Sequence, residues 1–247
     1  DELRAIWIKT LTKGFQNAGL AFPHDVEIDF PFYGDLLDQY TAQAKLPTPQ
    51  EVVAKGPGQN RAFEQFMQSA LEEMKNRARI SDDEVSAEMG DNATQEKGVQ
   101  NWGWVQAIAR VIDRHLTGAA DFSIEAFLKD VFLYVNKPAV TRGINKVISE
   151  KITDEPTLVI GHSLGSVVGY KVILENLDRL KLVKYVTLGC PLGLTAISSK
   201  LGLLQNPGGS DGWYNAYDER DVVALNPLDN KYFPTTPAIV NNNGVDN

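Results

Sequence analysis

The chain of 247 residues reads as an α/β protein: a mostly parallel central sheet with helices on both faces. Three observations carry that reading. Short apolar runs at 158–160, 182–188, 213–217 and 238–240 are separated by stretches of helical or turn character, the rhythm of strands joined by crossovers. Leu158-Val159-Ile160 is continuously apolar rather than alternating, as expected of a parallel strand covered on both faces. Gly161-His162-Ser163-Leu164-Gly165 stands directly between that run and a helical pattern, a strand–turn–helix arrangement.

The elements follow in order. Leu3, Ile6, Trp7, Leu11, Phe15 and Ala18 share one helical face, and Gly19 suits the helix end. Val26 to Tyr33 alternates, with Val26, Ile28, Phe30 and Phe32 on one side, and predicts a strand that Pro31 pushes toward an edge. Residues 35–98 break the rhythm and read as a helical insertion, with prolines at 47, 49 and 57 and a polar stretch from Ser81 to Gly98. Within it Phe63, Phe66, Met67, Ala70, Leu71 and Met74 predict one amphipathic helix. That helix either packs on the main core or forms a lid over an apolar site, and both readings stay open here.

Helices are next predicted over Val99–Leu116, from a cap at Asp121 or Ser123 to about Tyr134, and from Pro138 through Ile152. Strand Leu158–Ile160, helix 164–178 and strand Leu182–Leu188 come after these. A short helix plus loop over Leu194–Leu204, a turn at Asn206–Gly209, strand Trp213–Tyr217 and a last strand Ala238–Val240 complete the chain.

Composition narrows the function. The formal charge of −8 argues against a phosphate-backbone binder, which needs a basic face. One cysteine, Cys190, excludes an intrachain disulfide and reads as a small buried residue. With only His24, His115 and His162 beside it, a metal site is not expected, and no cofactor motif is present. No apolar stretch reaches membrane-span length and no signal peptide is visible, so the reading is cytoplasmic.

The turn at Gly161–Gly165 carries the chemistry. Gly-x-Ser-x-Gly after a strand and before a helix is the nucleophile elbow of α/β-hydrolases, and predicts Ser163 as nucleophile at the carboxyl edge of the sheet. The following helix directs its positive end at the serine, and the Leu164 N–H is the natural oxyanion donor. Gly161, Gly165 and Gly169 let strand and helix approach closely. His162 reads as a side chain flanking the elbow, turned away from Ser163.

The stretch Thr187-Leu188-Gly189-Cys190-Pro191-Leu192-Gly193 resembles the strand end after the elbow helix in class 3-type lipases. Asp221-Val222-Val223-Ala224 resembles their Asp-x-Val-Pro segment, with Ala224 where proline is usual, and Gly-His-Ser-Leu-Gly is their common elbow sequence. The resemblance covers roughly residues 138–240. It implies an α/β-hydrolase fold with a helical cap, a serine hydrolase acting on small-molecule ester or lipid substrates through an acyl-enzyme, and Asp221 as the triad acid, with Asp218 its competitor. Lipase, carboxylesterase and thioesterase remain open, and no nucleic-acid partner is implied.

No histidine follows His162, where the resemblance places the base, and the expected first strand with its oxyanion loop is also missing before Leu3. Both absences fit a sequence trimmed at both ends. The alternative is a complete, non-catalytic α/β-hydrolase scaffold that binds a ligand or protein.

Overall fold

The computed structural model describes residues 2–58, 60–90, 101–115, 123–224 and 226–245. The chain opens with α1 (Glu2–Asn17), which has no buried residue. Residues 18–33 follow without forming a strand, so the expected strand Val26–Tyr33 does not exist here. Alternation alone does not make a strand, because the backbone needs a partner ladder. Val26 and Phe32 are exposed, Phe30 lies against the Trp7 ring, and Arg4 Nη2 donates to the Ile28 carbonyl at 3.1 Å.

The next helices are α2 (Gly34–Ala44), α3 (Pro49–Lys55), α4 (Arg61–Arg77) and α5 (Asp82–Met89). Their starts are local. Thr48 and Glu51 form a reciprocal capping box on α3, Asn60 accepts from the Phe63 N–H, and Ser81 accepts from the Glu84 N–H. The apolar stripe of α4 is buried against α6 (Trp102–His115) and α7 (Ile124–Asn136), with the rings of Phe63 and Phe66 at 5.0 and 5.5 Å from Phe132. Of the two readings of this helix, the structure shows the one packed in the core.

Asp121 and residues 99, 100 and 116 lie outside the described residues. Ser123 occupies the cap position of α7 without bonding through its side chain, and Asp113 of α6 accepts the Ile124 N–H at 2.8 Å instead. Helix α8 (Pro138–Ser149) begins on its proline as expected and packs on α7 and α9 (Leu164–Glu175).

Strands β1 (Thr157–His162), β2 (Leu182–Leu188), β3 (Trp213–Ala216) and β4 (Val240–Asn242) form one parallel sheet in the order β1-β2-β3-β4. After β2 come a single 3₁₀ turn (Pro191–Gly193) and the short helix α10 (Thr195–Ser198). The last strand lies two residues beyond the expected Ala238–Val240.

The inner face carries Tyr185, Thr187, Trp213 and Asn215, all buried, with the rings of Tyr170 on α9 and Phe233 against Trp213. A polar thread crosses that face. The Thr187 hydroxyl donates to Asn215 Oδ1 at 2.8 Å and accepts from Trp213 Nε1 at 3.0 Å. Asn215 Nδ2 donates to Asn241 Oδ1 at 3.0 Å, which also accepts the Leu228 N–H. Asn215 stands directly opposite Thr187 and Asn241 directly opposite Asn215, while Trp213 reaches Thr187 diagonally, so the thread fixes the register of β2, β3 and β4.

The outer face differs from expectation. Among the described residues the helical layers pack on the inner face, and at the outer face Trp7 of α1 approaches His162. Leu158 and Ile160 are 50% and 45% exposed, and Val240 is 61% exposed. The apolar run in β1 is therefore covered on one face, not two.

Replacing Thr187 by valine leaves Trp213 Nε1 without its acceptor and Asn215 Oδ1 without its donor in a buried layer. The expected loss is ~1–3 kcal/mol, read as a lower urea midpoint at unchanged slope.

Candidate active site

Strand β1 delivers the chain to the carboxyl edge of the sheet. The Ser163 N–H makes the last ladder bond, to the Leu188 carbonyl at 3.0 Å, and the chain then turns into α9. Ser163 has φ 50° and ψ −126°. That is the geometry of the first central residue of a type II′ turn, where glycine is usual. For a serine it costs about 1–3 kcal/mol, held by the surrounding structure.

The restraint is visible. A Cβ on Gly161 would lie 2.7 Å from the Ser166 Cα and 2.8 Å from the Gly165 carbonyl oxygen, so β1 and α9 meet at backbone contact. The Ser166 hydroxyl donates to the Gly161 carbonyl at 3.0 Å, and the Tyr185 hydroxyl from β2 donates to the Ser166 carbonyl. A Cβ on Gly169 would lie 3.0 Å from the Tyr185 hydroxyl. Gly165 is different from what the pattern suggests. A Cβ there would meet only the Tyr33 hydroxyl, at 3.7 Å, so close packing does not require glycine at that position.

The Ser163 side chain does not cap α9. Leu164 is buried and its N–H belongs to the first helical turn, where amides have no partner within the helix and face the partial positive end. This is the donor expected for an oxyanion.

Asp221 reaches the site on the loop after β3. The Asp221 N–H donates to the Asp218 carbonyl at 3.0 Å, and the Val223 N–H donates to Asp221 Oδ1 at 3.0 Å. Asp221 Oδ2 and His162 Nε2 flank Gly189 at the end of β2, at 3.3 and 3.6 Å from the point where a Gly189 Cβ would stand. Burial pushes the Asp221 carboxyl above the usual carboxylate range, with the Val223 amide and the His162 imidazole pulling it back. Asp218 is placed otherwise. It accepts the Arg220 N–H and Nε–H at 2.9 and 3.1 Å, and its second oxygen meets Arg220 Nη2 at 2.9 Å. The carboxylate drawn toward the strand ends is Asp221.

His162 emerges as a neighbour of this group rather than a bystander. Its ring stands 5.4 Å from Trp7 at 62°, and burial lowers its pKa against the opposing pull of Asp221. Strand parity carried the signal: 158, 160 and 162 share the outer face. The other histidines are elsewhere. His115 Nε2 meets Glu84 Oε1 at 2.7 Å, and His24 belongs to the irregular segment after α1. Cys190 is buried beside Ser166 and Thr187, and burial pushes its thiol up to about 12. A thiol in that state is inert.

Among the described residues no group of three His, Cys, Asp or Glu is placed to hold a metal ion. No described helix is long and apolar enough to cross a membrane. A cleft of about 660 Å³ runs along α4, lined by Gln68, Glu72, Glu73, Arg77 and Thr195, and Ser163 does not line it.

Two stability predictions follow from the elbow. Gly161→Ala should cost ~1–3 kcal/mol through overpacking, whereas Gly165→Ala should be close to neutral in the same denaturation series. Ser163→Gly should raise stability by about 1 kcal/mol, because relief of the positive-φ strain exceeds the entropy cost of glycine; a thermal midpoint below the parent's would refute the strain.

No family model matches this chain, and no curated protein or solved structure matches it either.

Proposed function

We propose that this chain carries the nucleophile of a serine hydrolase that cleaves carboxylic esters through an acyl-enzyme, on an α/β-hydrolase type of scaffold. The observation that carries the reading is Ser163 itself: a serine held at positive φ on a strand-to-helix turn, with backbone contact behind it and the first amides of α9 in front. Strain of this kind collects where a side chain must be presented for chemistry.

In the reaction, a base takes the Ser163 proton as Oγ attacks the ester carbonyl. The carbonyl oxygen becomes an oxyanion held by the Leu164 N–H. Collapse expels the alcohol, which takes the proton back, and water then releases the acid from Ser163. Asp221 orients the base and stabilises it when it is charged. None of the three histidines hydrogen-bonds the Ser163 hydroxyl among the described residues: His115 is held by Glu84 and His162 lies against Trp7 on the outer face. An apolar acyl group fits the surroundings better than a polar one. Trp7 lies beside His162 of the elbow with Phe30 against it, and Ile6 and Phe32 near them in sequence are exposed.

A second reading is motivated by one observation: the Ser163 hydroxyl makes no hydrogen bond to an imidazole among the described residues. A scaffold that binds a ligand or protein without turnover would look the same. A fluorophosphonate probe separates the two. In the natural protein it should label Ser163 covalently and leave Ser163→Ala unlabelled; an unlabelled parent would leave the binding scaffold standing. Asp221→Asn should lower kcat/KM by ~10⁴ through the wrong tautomer of the base. Asp218→Asn should cost clearly less, because Asp218 serves Arg220.

A further inference from the structure

We propose that the Tyr33 hydroxyl is a second oxyanion donor, acting with the Leu164 N–H on the substrate bound at Ser163. The inference rests on the esterase reading above and adds a residue to it. Tyr33 ends the irregular segment 18–33 and occupies the cap position of α2, so its ring is carried on an element separate in sequence from the elbow.

The geometry is specific. The Tyr33 hydroxyl is the one heavy atom within 4 Å of the point where a Gly165 Cβ would stand, at 3.7 Å, once the flanking residues and the helix backbone are set aside. Covalent geometry then places that hydroxyl within about 6 Å of the Gly165 amide nitrogen, in the first turn of α9. The phenol thus stands beside the first turn of α9, two residues along the chain from Ser163.

The phenol is also in the right chemical state. Burial, assisted by the negative charge of Asp130, pushes the Tyr33 hydroxyl up to about 12, so it stays a proton donor throughout the working range of an esterase. No hydrogen bond among the described residues engages it. The bare glycine at 165 keeps the space between phenol and helix open. That accounts for a glycine which packing of β1 on α9 does not demand.

The test is Tyr33→Phe in the natural protein, which keeps the ring and removes only the donor. With a short-chain nitrophenyl ester, kcat should fall ~10²–10³-fold with KM little changed, as for loss of one oxyanion donor. Affinity for a trifluoromethyl ketone, whose adduct with Ser163 bears the same oxyanion, should fall in parallel, while the melting temperature holds. A purely structural tyrosine would move the melting temperature and spare the ketone affinity. Unchanged kcat in a parent that reacts with fluorophosphonate overturns the Tyr33 assignment and leaves the esterase reading intact. A parent that does not react removes both. A Tyr33→Phe chain that no longer melts cooperatively makes the hydroxyl structural and overturns the assignment as well.

Discussion

The contact between Gly161 and the first turn of α9 is the constraint on which the site depends. The backbone of β1 touches the backbone of Ser166 with no room for a side chain between them. That contact forces the chain to reverse within one residue, and the residue that absorbs the reversal is Ser163, at φ 50°. Bonds from Ser166 and Tyr185 close over the turn from helix and neighbouring strand. Strain at one residue is tolerable only because several independent contacts determine its position. The same contacts set the first amides of α9 beside the serine, so the exposure of the hydroxyl and the placement of those amides have one structural cause.

The rest of the sheet serves to bring Asp221 to that edge. Parallel strands end together, so the loop after β3 emerges beside the end of β1 even though β2 lies between them. The thread from Trp213 and Thr187 through Asn215 to Asn241 keeps those ends level. A slip of one residue would turn these buried polar groups outward and carry the Asp218–Asp221 loop away from Gly189. Buried side-chain hydrogen bonds thus do here what an all-apolar layer does not: they specify the register as well as filling the face.

The two faces of the sheet are unequal. The inner face is closed by α9 and by Phe233, with the larger helical body behind, while Leu158, Ile160 and Val240 stand partly in solvent on the outer face. Parallel sheets are ordinarily covered on both sides. Here α1 reaches the His162 end through Trp7, with Phe30 of the following segment against that ring. The segment 26–33 alternates as a strand does, yet no ladder receives it, and its backbone is tied by Arg4 on α1 instead.

The local code was legible in advance. The stripe of α4, the proline start of α8, the span of β2 and the strand–elbow–helix around Ser163 all follow from periodicity, caps and glycine placement, which act over a few residues. Of the candidate site, the turn at Ser163 and the place of Asp221 on the loop after a later strand were legible from motif and order, because the elbow is a single short segment and the loop follows the strand directly. The sequence could not decide what depends on partners far away in the chain. The fate of 26–33 depended on whether a ladder was there to pair with it. Asp221 stood apart from Asp218 only once Arg220 had folded onto one carboxylate and the other lay beside Gly189 and His162. Tyr33 met Gly165 across more than a hundred residues. Sequence by itself determined which residues turn, cap and bury; tertiary structure decided which of them meet, because a contact between distant segments exists only when both have somewhere to pack.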